Sequence, residues 1–479
     1  MNNYPNYKKI GFIAGPILFF LVLFCPVTIV NPATQKVIAV AFWMIVWWMS
    51  EAVSISVSAL LPLVLFPLLG IMDIKSTSAS YGSHIVYLFF GGFVMALALE
   101  KVNLHKRIAL NIIRITGTSP NRVVLGFMLA TALLSMWISN TASTVVMLPI
   151  ALQVINLLIN DSDGFTTKDQ NFALSIMLGI AFSANIGGIA TLIGTPPNVV
   201  LAGIIENEYN IQISFVNWMM MGLPFSIIML TICYWVIVKW IYPSRLQKLE
   251  NASETILKEL QKLGKISKKE KIVLSVFTVT IFLWITRVQL NNWFGWALSD
   301  TGISMMAALS MFTIAHDFKN GGFILDWQDT QKLPWGILIL FGGGLALASA
   351  LAKVGLIDLI GNSIASYQGL SVMVIISLLI FVMLFMTELM SNVALVAIFV
   401  PVVAGIATGL NIPVLHVCIP VAMASSCAFM LPMATPPNAI VFASGYIKVY
   451  QMARVGFILN IISVALLILF TKFVIPFLF

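Results

Sequence analysis

Charge is what this sequence has least of. Only 9% of its 479 residues are Asp, Glu, Lys or Arg, while 60% are apolar and the mean hydropathy is +1.00. A soluble domain is about a quarter charged, so this chain cannot keep most of its surface in water. The ~10-residue segments alternating polar and apolar that mark a β-barrel are also missing. The four cysteines, Cys25, Cys233, Cys418 and Cys427, lie in apolar runs without CxxC spacing. They read as small core residues, not as zinc ligands or a disulfide framework. The sequence contains no His-Glu-x-x-His, no GxSxG and no paired intramembrane aspartates, so no nucleophile–base pair is on offer and an enzyme is not expected. His84, His105, His316 and His416 are scattered without metal spacing. The net charge of +8 does not point to nucleic acid, because its distribution has a topological account given below.

What is present is a series of apolar runs. Several exceed ~18 nearly uncharged residues, long enough to cross ~30 Å of hydrocarbon. The expected fold class is therefore an all-α polytopic membrane protein. A short basic segment, Met1 to Lys9, leads into the run Ile10 to Val30, and no small-residue cleavage site follows. It reads as an uncleaved first span. Further spans are expected near 37–50, 53–71 and 85–100, then a basic amphipathic surface stretch from Lys101 to Arg114.

Two uncharged polar knots interrupt the oil. Ser139-Asn140-Thr141 sits between arms at 121–138 and 142–159, and Ser391-Asn392-Val393 between arms at 371–389 and 394–409. Each is followed by a second break, Gly194-Thr195-Pro196-Pro197-Asn198 and Ala434-Thr435-Pro436-Pro437-Asn438. If each knot is the tip of a re-entrant hairpin, about eleven crossings remain. With the N-terminus cytoplasmic, only Lys36, Lys75, Arg287, Lys353 and Lys472 of the 26 Lys and Arg fall outside. That bias obeys the positive-inside rule. Treating either knot as an ordinary crossing spoils it.

The halves repeat. Phe90-Gly91-Gly92 and Lys101-Val102 recur as Phe341-Gly342-Gly343 and Lys353-Val354, at the same spacing as the knots. The spacing shortens for the Thr-Pro-Pro-Asn motifs by roughly the polar insert that starts at Asn160. The expected organisation is residues 1–36 as the first span and 37–240 as the first inverted repeat, with hairpin 121–159 and broken helix 172–206. A basic cytoplasmic linker, 241–271, joins it to the second repeat, 272–479, with hairpin 371–409 and broken helix 413–447. Inverted repeats with helices broken in corresponding places are a transporter signature, with the site near the midplane.

The chemistry of the breaks agrees. Pro pairs free backbone carbonyls, and these join Ser and Asn oxygens in a cage suited to Na⁺. Half-helices starting at the tips aim N–H groups at an anion. A single Ser-Asn-Thr is more often interhelical glue, but duplication beside the paired breaks favours the site. Glu51 and Glu388 are the acidic residues nearest span interiors, functional candidates by position. Glu388 could instead pair with a basic group and fix its hairpin. Gly342-Gly343-Gly344 lacks the Lys-Ser/Thr of a phosphate loop and fits close helix packing.

At these residues, and at Trp47-Trp48-Met49-Ser50-Glu51-Ala52 and Ala59-Leu60-Leu61-Pro62, the chain resembles the divalent anion:sodium symporter family over essentially its whole length. These are sodium-coupled carriers of dicarboxylates, citrate and sulfate. The resemblance implies a homodimer of elevator-type carriers, expected in the cytoplasmic membrane with lipid around it, and the odd number of crossings puts the C-terminus outside. It implies one sodium near Ser135, Ser139, Asn140 and Gly194 and a second near Thr387, Met390, Asn392 and Ala434, the last two partly through backbone oxygens. The dianionic substrate is then touched by Asn140, Thr141, Ser391, Asn392 and Val393, with Thr195, Pro196, Thr435 and Pro436 close by. Val393 is a departure, because carboxylate carriers of the family usually have Thr there. The lost hydroxyl is worth ~1 kcal/mol, or up to ~3 against a charge. Sodium-coupled symport of a C4 dicarboxylate such as succinate, fumarate or malate is the leading expectation. Sodium-independent exchange and a sodium-coupled sulfate or tricarboxylate carrier are alternatives, and an anion channel is the weakest.

Overall fold

The computed structural model describes residues 5–25, 31–117, 119–159, 166–244, 246, 252–357, 359 and 371–479. Among these residues, 9 helices are long and apolar enough to cross a membrane, from Asn6–Phe24 to Val449–Phe473. The only sheet among them is a two-stranded antiparallel ladder, Ala315–Asp317 with Gly322–Phe323.

Burial separates a rim from a centre. Asn6–Phe24 and Lys268–Phe294 keep only 17% of their apolar windows buried, and they present Phe20, Phe24, Phe282 and Ile285 outward. Exposed apolar surface of that extent suits lipid, where it carries no penalty. Thr167–Ile189 is the opposite case, with its window 100% buried.

That central helix packs against Pro120–Ser135 and Asn140–Ile159, the two arms on either side of the first knot. The arms of 16 residues here, and of 15 in Val372–Met386 on the second knot, are short. At 1.5 Å per residue neither covers ~30 Å of hydrocarbon. The second knot is completed by Asn392–Gly409. Glycine lets the first arm approach closely. A Cβ on Gly187 would overlap the backbone carbonyl of Ala132 in the arm.

The two broken helices exchange partners at their breaks. Thr167–Ile189 packs on the first hairpin, but its continuation Pro196–Tyr209 packs on Asn392–Gly409 of the second. Correspondingly, Val414–Ser425 packs on the second hairpin, while its continuation Pro436–Phe442 packs on Asn140–Ile159. Each Thr-Pro-Pro-Asn motif is a helix start. Thr195 and Thr435 are N-caps with φ of −142° and −141°, and the following Pro opens the helix. Its missing N–H is one that a first turn could not use anyway. The motif's Asn then folds back over the break. Asn198 Nδ2 donates to the carbonyls of Gly188 and Thr191 at 3.3 and 2.9 Å. Asn438 Nδ2 donates to those of Ala428 and Leu431 at 3.2 and 3.1 Å.

Several expectations need correcting. The span near 53–71 is two short helices, Ile55–Ser58 and Leu61–Leu68. Pro62 and Pro67 each remove a backbone donor there, and Ile74–Tyr81, capped by Asp73, adds a turn before His84–Lys101. Among the described residues Glu388 pairs with no basic group; it takes backbone amides of the second break instead. Cys25 is exposed, unlike Cys233, Cys418 and Cys427. Within the polar stretch after Tyr242, helix Ala252–Lys262 docks on Leu104–Thr116. Lys106 pairs with Glu259 at 3.2 Å, and Arg107 joins Glu270 at 2.5 Å and the carbonyls of Leu263 and Gly264. Residues 160–165 of the polar insert, 247–251 of the linker and most of the surface stretch after Lys353 lie outside the described residues. The glycine run is a packing surface, with Gly342 against Tyr81 and Gly343 against Ala59.

Two outcomes follow for stability. Gly187→Val forces the hairpin arm off the central helix and should cost about 1–3 kcal/mol, read as a lower melting temperature in detergent. Asn438→Leu strips the donors from two buried carbonyls and should cost a similar ~1–3 kcal/mol by the same measurement.

Candidate functional site

Each hairpin tip places a hydroxyl between two oxygens. In the first, Ser135 Oγ lies 2.6 Å from Asn140 Oδ1 and 2.7 Å from the carbonyl oxygen of Ala184 in the central helix. In the second, Thr387 Oγ1 lies 2.7 Å from Asn392 Oδ1 and 2.7 Å from the carbonyl oxygen of Ser425. A hydroxyl has one proton, so it satisfies only one of its two neighbours at a time. The result in each repeat is a buried cluster richer in oxygen lone pairs than in protons. Hydroxyl, amide and carbonyl oxygens are the ligands of hard cations, and unwound helix ends are where carriers hold Na⁺.

Local structure explains how the oxygens meet. Ser135 ends the first arm and Asn140 begins the second, so the turn Met136–Ser139 brings their side chains face to face. Gly188 lies against the Asn140 amide, and a Cβ there would overlap Oδ1. Gly194 in turn faces the carbonyl of Gly188 and the hydroxyl of Thr191, which places the first break beside the first tip. Thr191 Oγ1 donates to the Met136 carbonyl at 2.6 Å, tying break to tip.

Of the residues singled out by sequence, Ser135, Gly194, Thr387 and Ala434 are buried, with Asn140, Asn392 and Met390 half-buried beside them. The tips open outward: Ser139 and Thr141 are exposed, and Ser391 and Val393 half-buried. Ser139 Oγ accepts from the amide of Ala142 at 3.2 Å and so serves its own helix start. Pro196 is half-buried and Pro436 exposed, while Thr195 and Thr435 are 4% exposed. Thr435 Oγ1 is engaged by Asn185 Nδ2 at 3.1 Å. The arms starting at Asn140 and Asn392 leave first-turn N–H groups without intrahelical partners at both tips.

Sequence reasoning missed Asn185. It is buried in the central helix, and its Nδ2 reaches the Ala428 carbonyl, Thr435 Oγ1 and Asn438 Oδ1 at 3.1–3.4 Å. It therefore fastens the first repeat to the second break. Its signal was available: an amide in an otherwise apolar stretch of helix. Around it, the buried Ser183 Oγ, Asn185 Oδ1, Asn198 Oδ1 and Ser426 Oγ have no hydrogen-bond partner. The carbonyls of Ala184 and Ser425 carry no sequence signal.

Comparison with known proteins places this geometry. The family described as "Sodium:sulfate symporter transmembrane region" matches residues 8–479. A sodium-dependent dicarboxylate transporter, SdcS, of Staphylococcus saprophyticus is 40% identical over 482 residues, covering 99% of this chain and 92% of the relative. SdcS of Staphylococcus aureus (strain USA300) is 39% identical over 477 residues, covering 98% and 91%. Two solved structures share the fold at 12% identity. The Alcanivorax borkumensis YdaH transporter superposes with a TM-score of 0.62 over 98% of this chain and 99% of that one. MtrF of Neisseria gonorrhoeae does so with 0.57 over 99% and 96%. With a family match over nearly its full length, this multi-pass helical membrane protein belongs to the sodium:sulfate symporter family of divalent anion:sodium symporters.

Proposed function

We propose that the chain is a secondary active transporter that couples sodium entry to uptake of a C4 dicarboxylate such as succinate, fumarate or malate. The observation that carries this reading is the pair of oxygen clusters, Ser135–Asn140–Ala184 and Thr387–Asn392–Ser425, one in each repeat. The names of the relatives, sodium-dependent dicarboxylate transporters, agree with it. Sodium ions at the two clusters involve Ser135, Ser139, Asn140 and Gly194, then Thr387, Met390, Asn392 and Ala434. The substrate spans the tips, held by Asn140, Thr141, Ser391 and Asn392, with Thr195, Pro196, Thr435 and Pro436 behind. Sodium bound at each cluster stiffens the tip turn, and the tip's own N–H groups and amide then meet one carboxylate each. Coupling arises because substrate binds well only to tips already ordered by cation.

Movement in this reading is an elevator. The hairpins and broken helices interlock through Asn185 and the crossed packing of the breaks, so they travel as one body. The remaining spans form a scaffold about a homodimer axis. The N-terminus is cytoplasmic and the C-terminus outside, in the cytoplasmic membrane. Val393 supports one second reading, sodium-coupled sulfate transport, because it removes a hydroxyl donor at the second tip.

Purified protein in proteoliposomes should accumulate labelled succinate only under an inward sodium gradient; uptake that survives sodium removal as counterflow means exchange instead. Asn140→Ala and Asn392→Ala should each weaken apparent sodium affinity about fivefold to tenfold, and unchanged sodium curves in both remove the placement of the sites. A competition panel of mono-, di- and tricarboxylates with sulfate identifies the substrate, with Val393→Thr shifting preference toward dicarboxylate.

A further inference from the structure

Glu388 is a carboxylate at membrane depth that the transport reading leaves unused. It is 3% exposed and follows Thr387 directly in the chain. Its Oε1 accepts from the amides of Phe429 and Met430 at 2.8 and 2.9 Å, and its Oε2 from that of Leu431 at 3.1 Å. Asn460 Nδ2, from Val449–Phe473, donates to Oε1 at 2.7 Å. Donors converge on both oxygens, the hydrogen-bonding pattern of an ionised carboxylate. Among the described residues, the ion pairs formed by Lys, Arg and His all go to other acids. A buried charge without a countercharge is costly; the four donors offset part of that cost, and a cation bound nearby would offset more.

The first repeat has no such charge. The position corresponding to Glu388, by the spacing of the knots, is Met136. That of Leu431, by the spacing of the Thr-Pro-Pro-Asn motifs, is Thr191. These two residues touch as well, through a neutral bond from the Thr191 hydroxyl to the Met136 carbonyl. The same tip-to-break contact is thus neutral in one repeat and anionic in the other. The second break shows the consequence: its first half-helix ends at Ser425, whereas Thr167–Ile189 runs one turn further in corresponding positions. Of the three amides given to Glu388, that of Phe429 lies in the turn so released, and those of Met430 and Leu431 follow it.

We propose that Glu388 is the fixed countercharge of the second cation site. It is a positioning and charge-setting residue, not a ligand: its oxygens hold the amides that shape the break, and its charge draws a cation to Thr387 and Asn392. The two cation sites are therefore unequal, the first built from neutral oxygens alone and the second with one negative charge beside it. The second binds tighter and fills first. This rests on the second site lying at Thr387 and Asn392.

The test is the sodium dependence of labelled-succinate uptake by the full-length protein in proteoliposomes. Glu388→Gln should raise the half-saturating sodium concentration roughly tenfold or more, with the maximal rate less affected. Asn460→Ala removes a donor but not the charge and should leave the sodium curve near wild type. Glu388→Asp keeps the charge and should retain most of the affinity. With Asn460→Ala it carries the test if the glutamine variant does not assemble, because a merely structural cluster predicts a loss in both. On a Thr387→Ala background, Glu388→Gln should add little; on Ser135→Ala, which acts at the separate first site, it should keep its full effect. A full effect on both backgrounds, or an equal loss in Asn460→Ala, overturns the proposal. An unmoved sodium curve in Thr387→Ala alone overturns instead the placement of the second site.

Discussion

Backbone amides and carbonyls at membrane depth must find partners inside the protein, and the centre of this molecule is arranged around two places where helices stop short of that. At each break the chain leaves the helix, exposes carbonyls and restarts at a Thr-Pro pair. The donors that close the gap are side-chain amides, Asn198 and Asn438, each four residues or fewer from its break. Their carbonyl partners are thereby aimed and held. A break satisfied by water would be soft, whereas one stapled by a buried amide keeps its oxygens in place. The site's rigidity and the solution to the backbone problem are the same set of bonds.

Interlocking follows from that solution. Each broken helix changes hairpin partner at its break, so each hairpin is packed against parts of both broken helices. Asn185 adds a direct bond from the fully buried helix to the opposite break. The surrounding spans have ties of their own, such as Ser304 Oγ to the Leu88 carbonyl at 2.8 Å, and the most exposed of them leave apolar faces to lipid. A buried, cross-tied centre within a rim that faces lipid is the division that the proposed elevator movement needs.

Much of this was legible because it is periodic or duplicated. Apolar run lengths mark the spans, and Ser139-Asn140-Thr141 with Ser391-Asn392-Val393 mark the tips. The spacing of the motif pairs even aligns the contacts, since Thr191 with Met136 and Leu431 with Glu388 sit at corresponding places. What was not legible depends on partners rather than on pattern. The carbonyls of Ala184 and Ser425 are identical in sequence terms to any other carbonyl; only the approach of a hairpin makes them ligand-like. The split of residues 53–71 into two short helices lies in the placing of Pro62 and Pro67, which an apolar count passes over. The surroundings of Glu388 were hidden because three of its four donors are backbone amides, and backbone has no letter in a sequence.

The oxygen cluster at the first tip depends on missing atoms. Asn140 reaches its cluster because Gly188 has no Cβ; any side chain there would occupy the space of the amide oxygen. The arm carrying Ser135 lies close enough to the Ala184 carbonyl because Gly187 has none either, and its Cα faces the Ala132 carbonyl instead. These two glycines remove the steric barrier that would hold hairpin and helix apart by the width of a methyl group. The oxygen-to-oxygen distances of 2.6 and 2.7 Å at Ser135 are thus a packing result before they are a chemical one. The second cluster reaches similar distances beside Ser425 by a different route, where the helix ends a turn earlier and the amides of Phe429, Met430 and Leu431 go to a carboxylate. The two repeats reach one geometry by different means. The carboxylate in the second has a neutral counterpart in the first, so equality of shape does not extend to equality of charge.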